Sequence, residues 1–415
     1  WTKEITTKGL PELKAIYSLF GAEDQVMARA LVQFPHNYNY VSRAVMYPWF
    51  NQHLKLGWEE PIVEADFTPL SQQEMTVWNQ QHPQPAGGAD YERSLLRWIT
   101  ADSNQTMAAL VPTDKASWAE YRKIIGGAWD ILIGRSLPQQ GAVKAIRPRE
   151  KNHNDWTRTT FLLSHAAQGE EVPALMLMPN PWNKQVVIWS DQRGKQGLFT
   201  SPGTPRPAVR KLLSAGTAVL GLDLLGQGEF TPNGQPSTKQ RLQTLDEQPW
   251  KDYVAFPWSK FAGFTFGYNH SLFSQRVHDI LSAIAFARDL APDKVRIALV
   301  GLGGAGHWVT AAHTQAGTFV ERAAIDTQGF RFASVEAFDD PDFVPGAVKY
   351  LDLPGLIALS APGKLWLTDA GNDLRVIRQA YQAAGSIDQL TLAKGSLSEH
   401  EMAIAEWLLG PSTSR

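Results

Sequence analysis

The chain has 415 residues and a formal net charge of −2, from 39 Lys and Arg residues against 41 Asp and Glu residues. This balance offers nucleic acid no basic field, and no apolar run approaches the ~18 residues of a membrane span. Because the chain has no cysteine, disulfides, thiolate nucleophiles and cysteine metal sites are excluded. A cysteine-free chain also agrees with export, and we expect a periplasmic or extracellular protein.

The first residues predict the end of a domain. Residues 10–20 have apolar side chains at helical spacing, and residues 25–34 are predicted as a strand. A loop with His36 follows, and then an amphipathic helix that ends near Gly57. An α/β-hydrolase domain ends in this order of helix, strand, histidine loop and helix. We therefore expect residues 1–57 to be the C-terminal remnant of a first such domain.

The remaining chain predicts a connector and one complete α/β domain. Residues 58–135 form the connector, which is first polar and rich in Pro, Gln and Gly and then contains helical patterns. Residues 136–415 begin with an antiparallel strand pair and continue as short apolar runs that alternate with helical segments. This pattern indicates a mostly parallel sheet with helices on both faces. The apolar runs are QVVIWS, TAVLGLDL, KVRIALVG, RAAIDT, GKLWLT and QLTLA.

A glycine-rich turn, with the sequence ALVGLGGAG over residues 298–306, follows one of these runs and opens a helix. Gly301, Gly303 and Gly306 have the spacing of a dinucleotide-binding loop, and Asp326 follows at the distance of a ribose-binding acid. This interpretation predicts an NAD-binding oxidoreductase. The fingerprint normally lies on the first strand of its fold, however, whereas several predicted strands precede this turn.

The same turn also matches the nucleophile elbow of an α/β-hydrolase, with Gly303 where the serine belongs. Asp373 after a later strand, and His400 in a loop before the last helix, complete the chain order of nucleophile, acid and base. Glycine has no attacking oxygen, but it adopts the positive φ of an elbow freely, whereas other residues do so at a cost of ~1–3 kcal/mol. The hydrolase interpretation explains more of the chain than the dinucleotide interpretation does.

Several segments carry a family resemblance: VPALMLMP, RPAVRKLLSAGTAVLGLDLLGQGE, YNHSLFSQRVHDILSAIAFAR, KVRIALVGLGGAG and PDFVPGAVKYLDLPGLIALSAPGKLWLTDA. Together they resemble the bacterial acetylxylan-esterase-like α/β-hydrolases, with glucuronoyl esterases as more distant relatives. The resemblance implies serine acyl transfer on acetyl or related esters of plant polysaccharide, with Asp373 as the acid and His400 as the base. Gly303 departs from the family's serine, so we expect this complete domain to be non-catalytic or strongly impaired.

The resemblance also matches His36 to the catalytic histidine of the first domain, whose serine and acid would lie outside this chain. Another polypeptide fragment is then needed to complete that domain, and any ester hydrolysis belongs there. Without such a fragment, residues 1–57 are expected to expose an apolar face. The complete domain is expected to act as a scaffold, a dimerisation surface or a carbohydrate-binding pseudoenzyme.

Further candidates are binding residues in the complete domain. Gly194 and Lys195 lie in SDQRGK, where either an oxyanion-binding loop or an ordinary turn is expected. Arg276 lies on a predicted helix near the cleft, where it either meets a carboxylated sugar or joins a salt-bridged helix surface. The hydrolase interpretation needs no cofactor. No metal site is predicted either, because metal-ligand spacing is absent among the histidines His153, His165 and His313.

Overall fold

The chain divides into two compact units, Trp1–Tyr91 and Glu92–Arg415. The predicted boundary at residue 57 falls inside the first unit and the one at residue 135 inside the second, so the predicted connector is shared between them. Asp373, the predicted acid, lies outside the residues that the structure describes. This computed structural model describes residues 2–240, 263–291, 295–371, 374–395 and 397–411.

The N-terminal unit is helical in its described part. The strand predicted over residues 25–34 is wrong, because residues 26–30 belong to neither a helix nor a strand. A strand needs a hydrogen-bonded neighbour, and the described residues of this unit supply no second strand. The α-helices that lie wholly in this unit are α1 (Leu10–Ser18), α2 (Tyr40–Leu54) and α3 (Gln72–Met75).

Polar contacts join α2 to the segment that follows it. Glu64 accepts from Arg43 Nη2 at 2.7 Å and from the Tyr47 hydroxyl at 2.9 Å. Asn51 accepts from the Trp58 amide at 2.9 Å, and it is the one buried residue among those described in this unit. Large apolar side chains are correspondingly exposed, as expected for residues 1–57; they include Leu19, Phe20, Phe34, Tyr38, Phe50 and Leu54.

A nine-stranded sheet forms the framework of the C-terminal unit. The described strands of this sheet are β1 (Lys144–Asn152), β2 (Trp156–His165), β3 (Glu170–Pro179), β4 (Gln185–Asp191), β7 (Ala218–Leu222), β8 (Arg296–Leu302), β9 (Arg322–Asp326), β10 (Lys364–Thr368) and β11 (Leu390–Ala393). Two further strands, β5 (Phe199–Ser201) and β6 (Thr204–Pro205), form a separate two-stranded ribbon.

The order of the strands is β1-β2-β3-β7-β4-β8-β9-β10-β11. The ladders from β1 to β7 are antiparallel, and those from β7 to β11 are parallel. β4 lies between β7 and β8, so the chain crosses over once before it extends the sheet in one direction. This is the strand order of the α/β-hydrolase fold, and the predicted fold class is confirmed.

Helices cover both faces of this sheet. On one face α7 (Pro207–Ser214) and α13 (Leu397–Leu409) pack on the strands through Leu212, Ile404 and Leu408. On the other face α9 (Leu272–Asp289) and α10 (Gly306–Ala316) pack through Ile280 and Val309. Because both faces are covered, β4 is buried along its whole length, and its central residues VVIW form a continuous apolar run. The remaining α-helices are α4 (Gly88–Ala109), α5 (Lys115–Tyr121), α6 (Gly127–Ile133), α8 (Gly263–Tyr268), α11 (Asp352–Ala358) and α12 (Arg375–Ala383).

Candidate active site

The turn after β8 has the backbone of a nucleophile elbow. β8 ends at Leu302, Gly303 and Gly304 have φ values of 58° and 91°, and α10 begins at Gly306. Both φ values lie in the left-handed region, which glycine adopts without steric cost. The prediction of a strand–turn–helix with a positive φ at residue 303 is therefore confirmed.

Gly301 and Gly306 allow α10 to pack closely on the sheet. A Cβ on Gly301 would lie 2.7 Å from the Cβ of Val309, and a Cβ on Gly306 would overlap the carbonyl oxygen of Asp326. The Asp326 side chain is itself buried at the end of β9, where it accepts from the Gln328 amide at 3.2 Å. Helix packing thus accounts for the glycine spacing without a bound dinucleotide.

The carboxylate of Asp191 lies where the side chain of an elbow nucleophile would project. A Cβ on Gly303 would be 3.2 Å from Asp191 Oδ2. Asp191 ends β4 and is buried, and its Oδ1 accepts from the Arg193 amide at 2.9 Å. Burial raises the pKa of Asp191, although its contacts with Arg193 oppose the rise. The Asp191 carboxyl group therefore occupies the space beside Gly303.

This carboxylate makes the elbow unfavourable for anions. An oxyanion hole needs hydrogen-bond donors aimed at the developing charge, and a pyrophosphate needs free amides at the helix N-terminus. Here the turn faces the Asp191 carboxylate, and the Gln192 side-chain oxygen would lie 3.0 Å from a Cβ on Gly304. The hydrolytic interpretation of GLGGAG would place an oxyanion close to these oxygens, and the dinucleotide interpretation would place a pyrophosphate there. Both are therefore unfavourable.

His400 lies in the first turn of α13 rather than in the predicted loop. The helix begins at Leu397, because the sequence from there is rich in strong helix formers such as Leu, Glu, Met and Ala. His400 Nε2 lies 2.8 Å from the carbonyl oxygen of Lys394. A carbonyl oxygen only accepts, so Nε2 donates to it. Burial raises the pKa of Asp326, and the charge of His400 opposes that rise.

Arg206 connects this end of the sheet to α13. It forms an ion pair with Glu401, and its Nη2 lies 3.9 Å from Asp191 Oδ2. Burial and the charge of Asp191 both raise the pKa of Glu401. The end of β4, the residue before α7 and the first turns of α13 thus bring two carboxylates and one guanidinium together. No local sequence pattern predicts this arrangement.

Gly194 and Lys195, the predicted oxyanion-binding residues, pack instead on the segment after β7. The Lys195 ammonium is buried and forms ion pairs with Asp223 and Glu229. The Lys195 amide donates to Asp223 Oδ1 at 2.9 Å, and a Cβ on Gly194 would overlap that carboxylate. These contacts are those of a turn held in place by its neighbours.

Arg276 forms a salt bridge as predicted, but it is buried, so its predicted place on a helix surface is wrong. Because α9 lies between the sheet and other elements, Arg276 faces inward, and its Nε donates to the carbonyl oxygen of Leu225 at 3.0 Å. The guanidinium lies 4.5 Å from the ring centroid of Trp308, and Nη1 is 3.7 Å from Asp342 Oδ1. Nη2 has no hydrogen-bond partner within the described part of the chain. Burial lowers the pKa of Arg276.

The predicted site residues thus separate into groups. Gly303 meets Asp191, and His400 is in electrostatic range of Asp326, whereas Lys195 and Arg276 have their own partners. His36 is exposed in the loop before α2 of the N-terminal unit. Asp191 was not predicted as a site residue. The one sequence signal for it is an acidic residue at the end of an apolar strand.

No protein-family model and no curated protein sequence matches the chain. Solved structures are similar at low identity. A Bacteroides fragilis protein described as a candidate acetyl xylan esterase is 15% identical, with a TM-score of 0.42, over 70% of this chain and 80% of its own. A glucuronoyl esterase from Solibacter usitatus is 13% identical, with a TM-score of 0.46, over 72% and 95%.

A third similar structure is a promiscuous CE15 esterase from a marine bacterial metagenome, 11% identical with a TM-score of 0.46. It matches over 71% of this chain and 93% of its own. Among the described residues, no helix is both long and apolar enough to span a membrane.

Proposed function

We propose that residues 92–415 form a carbohydrate-esterase-like α/β-hydrolase domain that does not hydrolyse esters. The observation that carries this proposal is the Asp191 carboxylate beside Gly303, at the position of the missing nucleophile. Substrate contact at this elbow would have to displace or neutralise a buried carboxylate. The family resemblance suggests that the domain derives from enzymes acting on polysaccharide esters and that it acts outside the membrane, in the periplasm or extracellular space.

Serine acyl transfer requires a nucleophile, a general base and an oxyanion hole. Gly303 supplies no nucleophilic oxygen. His400 directs one ring N–H to the Lys394 carbonyl oxygen, and Asp191 presents negative charge where an oxyanion would form. Two of the three requirements, the nucleophile and the oxyanion hole, are therefore opposed by residues of this chain, and the lost nucleophile is not the only obstacle.

We propose that the domain serves as a scaffold or as a carbohydrate-binding pseudoenzyme. Any ester hydrolysis in the first domain would use His36 together with a nucleophile and an acid that lie outside residues 1–415. The exposed apolar side chains around α1 and α2 favour additional polypeptide that covers the N-terminal unit, because soluble proteins rarely leave so many apolar side chains uncovered.

Hydrolysis of an aryl acetate by the purified full chain tests the proposal that residues 92–415 do not hydrolyse esters. We expect no turnover above the uncatalysed rate, and the His400→Ala variant should behave like the unmodified chain. Turnover that His400→Ala abolishes would refute the proposal. Calorimetry with acetylated xylo-oligosaccharides then separates a binding domain, which releases or takes up heat, from a scaffold, which does not.

A further inference from the structure

A second polar cluster lies away from the elbow, at the turn between β2 and β3. His165 is the last residue of β2, Glu170 is the first of β3, and a short helical turn over Ala166–Gln168 joins them. The two residues are directly opposed in the antiparallel ladder. Directly opposed residues project their side chains from the same face of a sheet, so the imidazole and the carboxylate lie together.

Helix α9 adds a buried imidazole to this pair. His278 Nδ1 lies 2.8 Å from Glu170 Oε2, and the ring centroids of His278 and His165 are 5.8 Å apart. One donor atom from each of the three residues lies within 4.8 Å of the other two. The histidine spacing in the sequence does not reveal this set, because strand pairing and helix packing assemble it.

The hydrogen bonding of the cluster is incomplete. Arg135 forms an ion pair with Glu170, and its Nη2 also lies within hydrogen-bond distance of His278 Nδ1. Arginine only donates, so that nitrogen accepts from Arg135 and cannot also donate to Glu170 Oε2. His165 Nδ1 and Glu170 Oε2 are buried atoms without a hydrogen-bond partner in the described residues. Unsatisfied buried acceptors of this kind are typical of sites that hold an ion or a water.

We propose that His165, Glu170 and His278 bind a divalent transition-metal ion of the Zn²⁺ class, and that Arg135 is the cation that neutralises the cluster when no metal is bound. Two imidazoles and one carboxylate are a donor set that zinc uses in proteins. Zinc binds such donors at ~2.0–2.2 Å, so binding would draw the three donor atoms together and displace Arg135 from His278.

The proposed ion would join the β2–β3 turn to α9 and so stabilise the antiparallel edge of the sheet. It takes no part in chemistry at the elbow, and the proposal does not depend on the proposed function. His270 packs against Gly134, next to Arg135 in the chain. His270 is exposed and lies in electrostatic range of Glu170 and His278.

Titration of the metal-free full chain with Zn²⁺ by calorimetry tests the proposal, with Co²⁺ absorption as the report on tetrahedral geometry. We expect a single Zn²⁺ per chain and a higher melting temperature in its presence. His165→Ala and Glu170→Gln should each weaken binding by about tenfold or more. Arg135→Gln removes the competing cation and should strengthen binding.

His153→Ala is the matched control, because His153 lies just before the other end of β2 and stacks on Trp156 at 3.8 Å between ring centroids. It should bind Zn²⁺ like the unmodified chain. Circular dichroism identifies any variant that fails to fold, and Glu170→Gln then replaces His165→Ala. Absence of Zn²⁺ binding, or equal binding by the unmodified chain and a folded ligand variant, would overturn the proposal.

Discussion

Asp191 and Gly303 meet because their strands are neighbours. Asp191 pairs in register with Leu302, so the residue after Leu302 begins the elbow directly beside the Asp191 carboxylate. The sequence predicts the elbow and its glycine, since a strand, a turn and a helix are local features. It does not predict the carboxylate at that elbow, because strand register is decided by packing across the sheet.

A serine at residue 303 should not restore hydrolysis by itself. In Gly303→Ser the new hydroxyl would lie against the Asp191 carboxylate, which also repels the oxyanion. Adding Asp191→Asn removes that charge while keeping the shape, and we expect at least about tenfold more aryl acetate turnover than with Gly303→Ser alone. Asp191→Asn alone is the control. Equal aryl acetate turnover by Gly303→Ser and by Gly303→Ser combined with Asp191→Asn would contradict this prediction.

His313 should make the fold sensitive to acid. Burial lowers the pKa of His313 from 6.5 to about 4, and its Nδ1 lies 3.2 Å from the Ser360 hydroxyl. Between these two pKa values the unfolded chain binds a proton that the folded chain excludes, so stability falls as the pH drops through this range. Urea unfolding as a function of pH should show a smaller loss for His313→Gln. Equal slopes for both proteins would contradict this assignment.

At the scale of elements, the close approach of α10 to β9 depends on a missing side chain. Gly306→Ala would place a Cβ on the carbonyl oxygen of Asp326, and we expect a loss of about 1–3 kcal/mol in the free energy of unfolding. Gly127→Ala is the control, since Gly127 lies in a helix with nothing within 4 Å of an added Cβ. Urea denaturation should show Gly127→Ala neutral or stabilised by up to about 1 kcal/mol. Equal destabilisation of both variants would argue against close packing as the cause.

The elements that sequence predicts well are those with a clear periodicity. The apolar runs of β4, β7, β8 and β9 are buried on both faces, and α9 has the helical pattern expected of a packed helix. The segment over residues 25–34 is also apolar, yet it forms no strand because no partner strand lies in the described part of its unit. Apolar content predicts burial only where neighbours complete the sheet.

At the scale of the whole molecule, the two units differ in how they treat apolar side chains. The C-terminal unit buries them in two layers, one on each face of its sheet. The N-terminal unit leaves them exposed, with Phe20 at 82% and Leu19 at 81%. The C-terminal unit therefore has a hydrophobic core of its own, which the described part of the N-terminal unit does not have.

A chain that begins at Gly88 should keep the cooperative unfolding of the C-terminal unit, because that core is contained in residues 92–415. It should also bind less of the apolar dye ANS than the full chain, since the exposed apolar side chains of α1 and α2 are gone. Dye fluorescence and thermal unfolding of the two chains check this. Unchanged dye binding would contradict the assignment of an apolar surface to the first unit.

Gly303 leaves the elbow without a hydroxyl nucleophile. Treatment of the full chain with a fluorophosphonate, followed by mass spectrometry of the intact chain and of its peptides, tests this most directly. We predict no covalent adduct on the unmodified chain. An adduct that forms on a residue near Gly303 and disappears in His400→Ala would contradict the account.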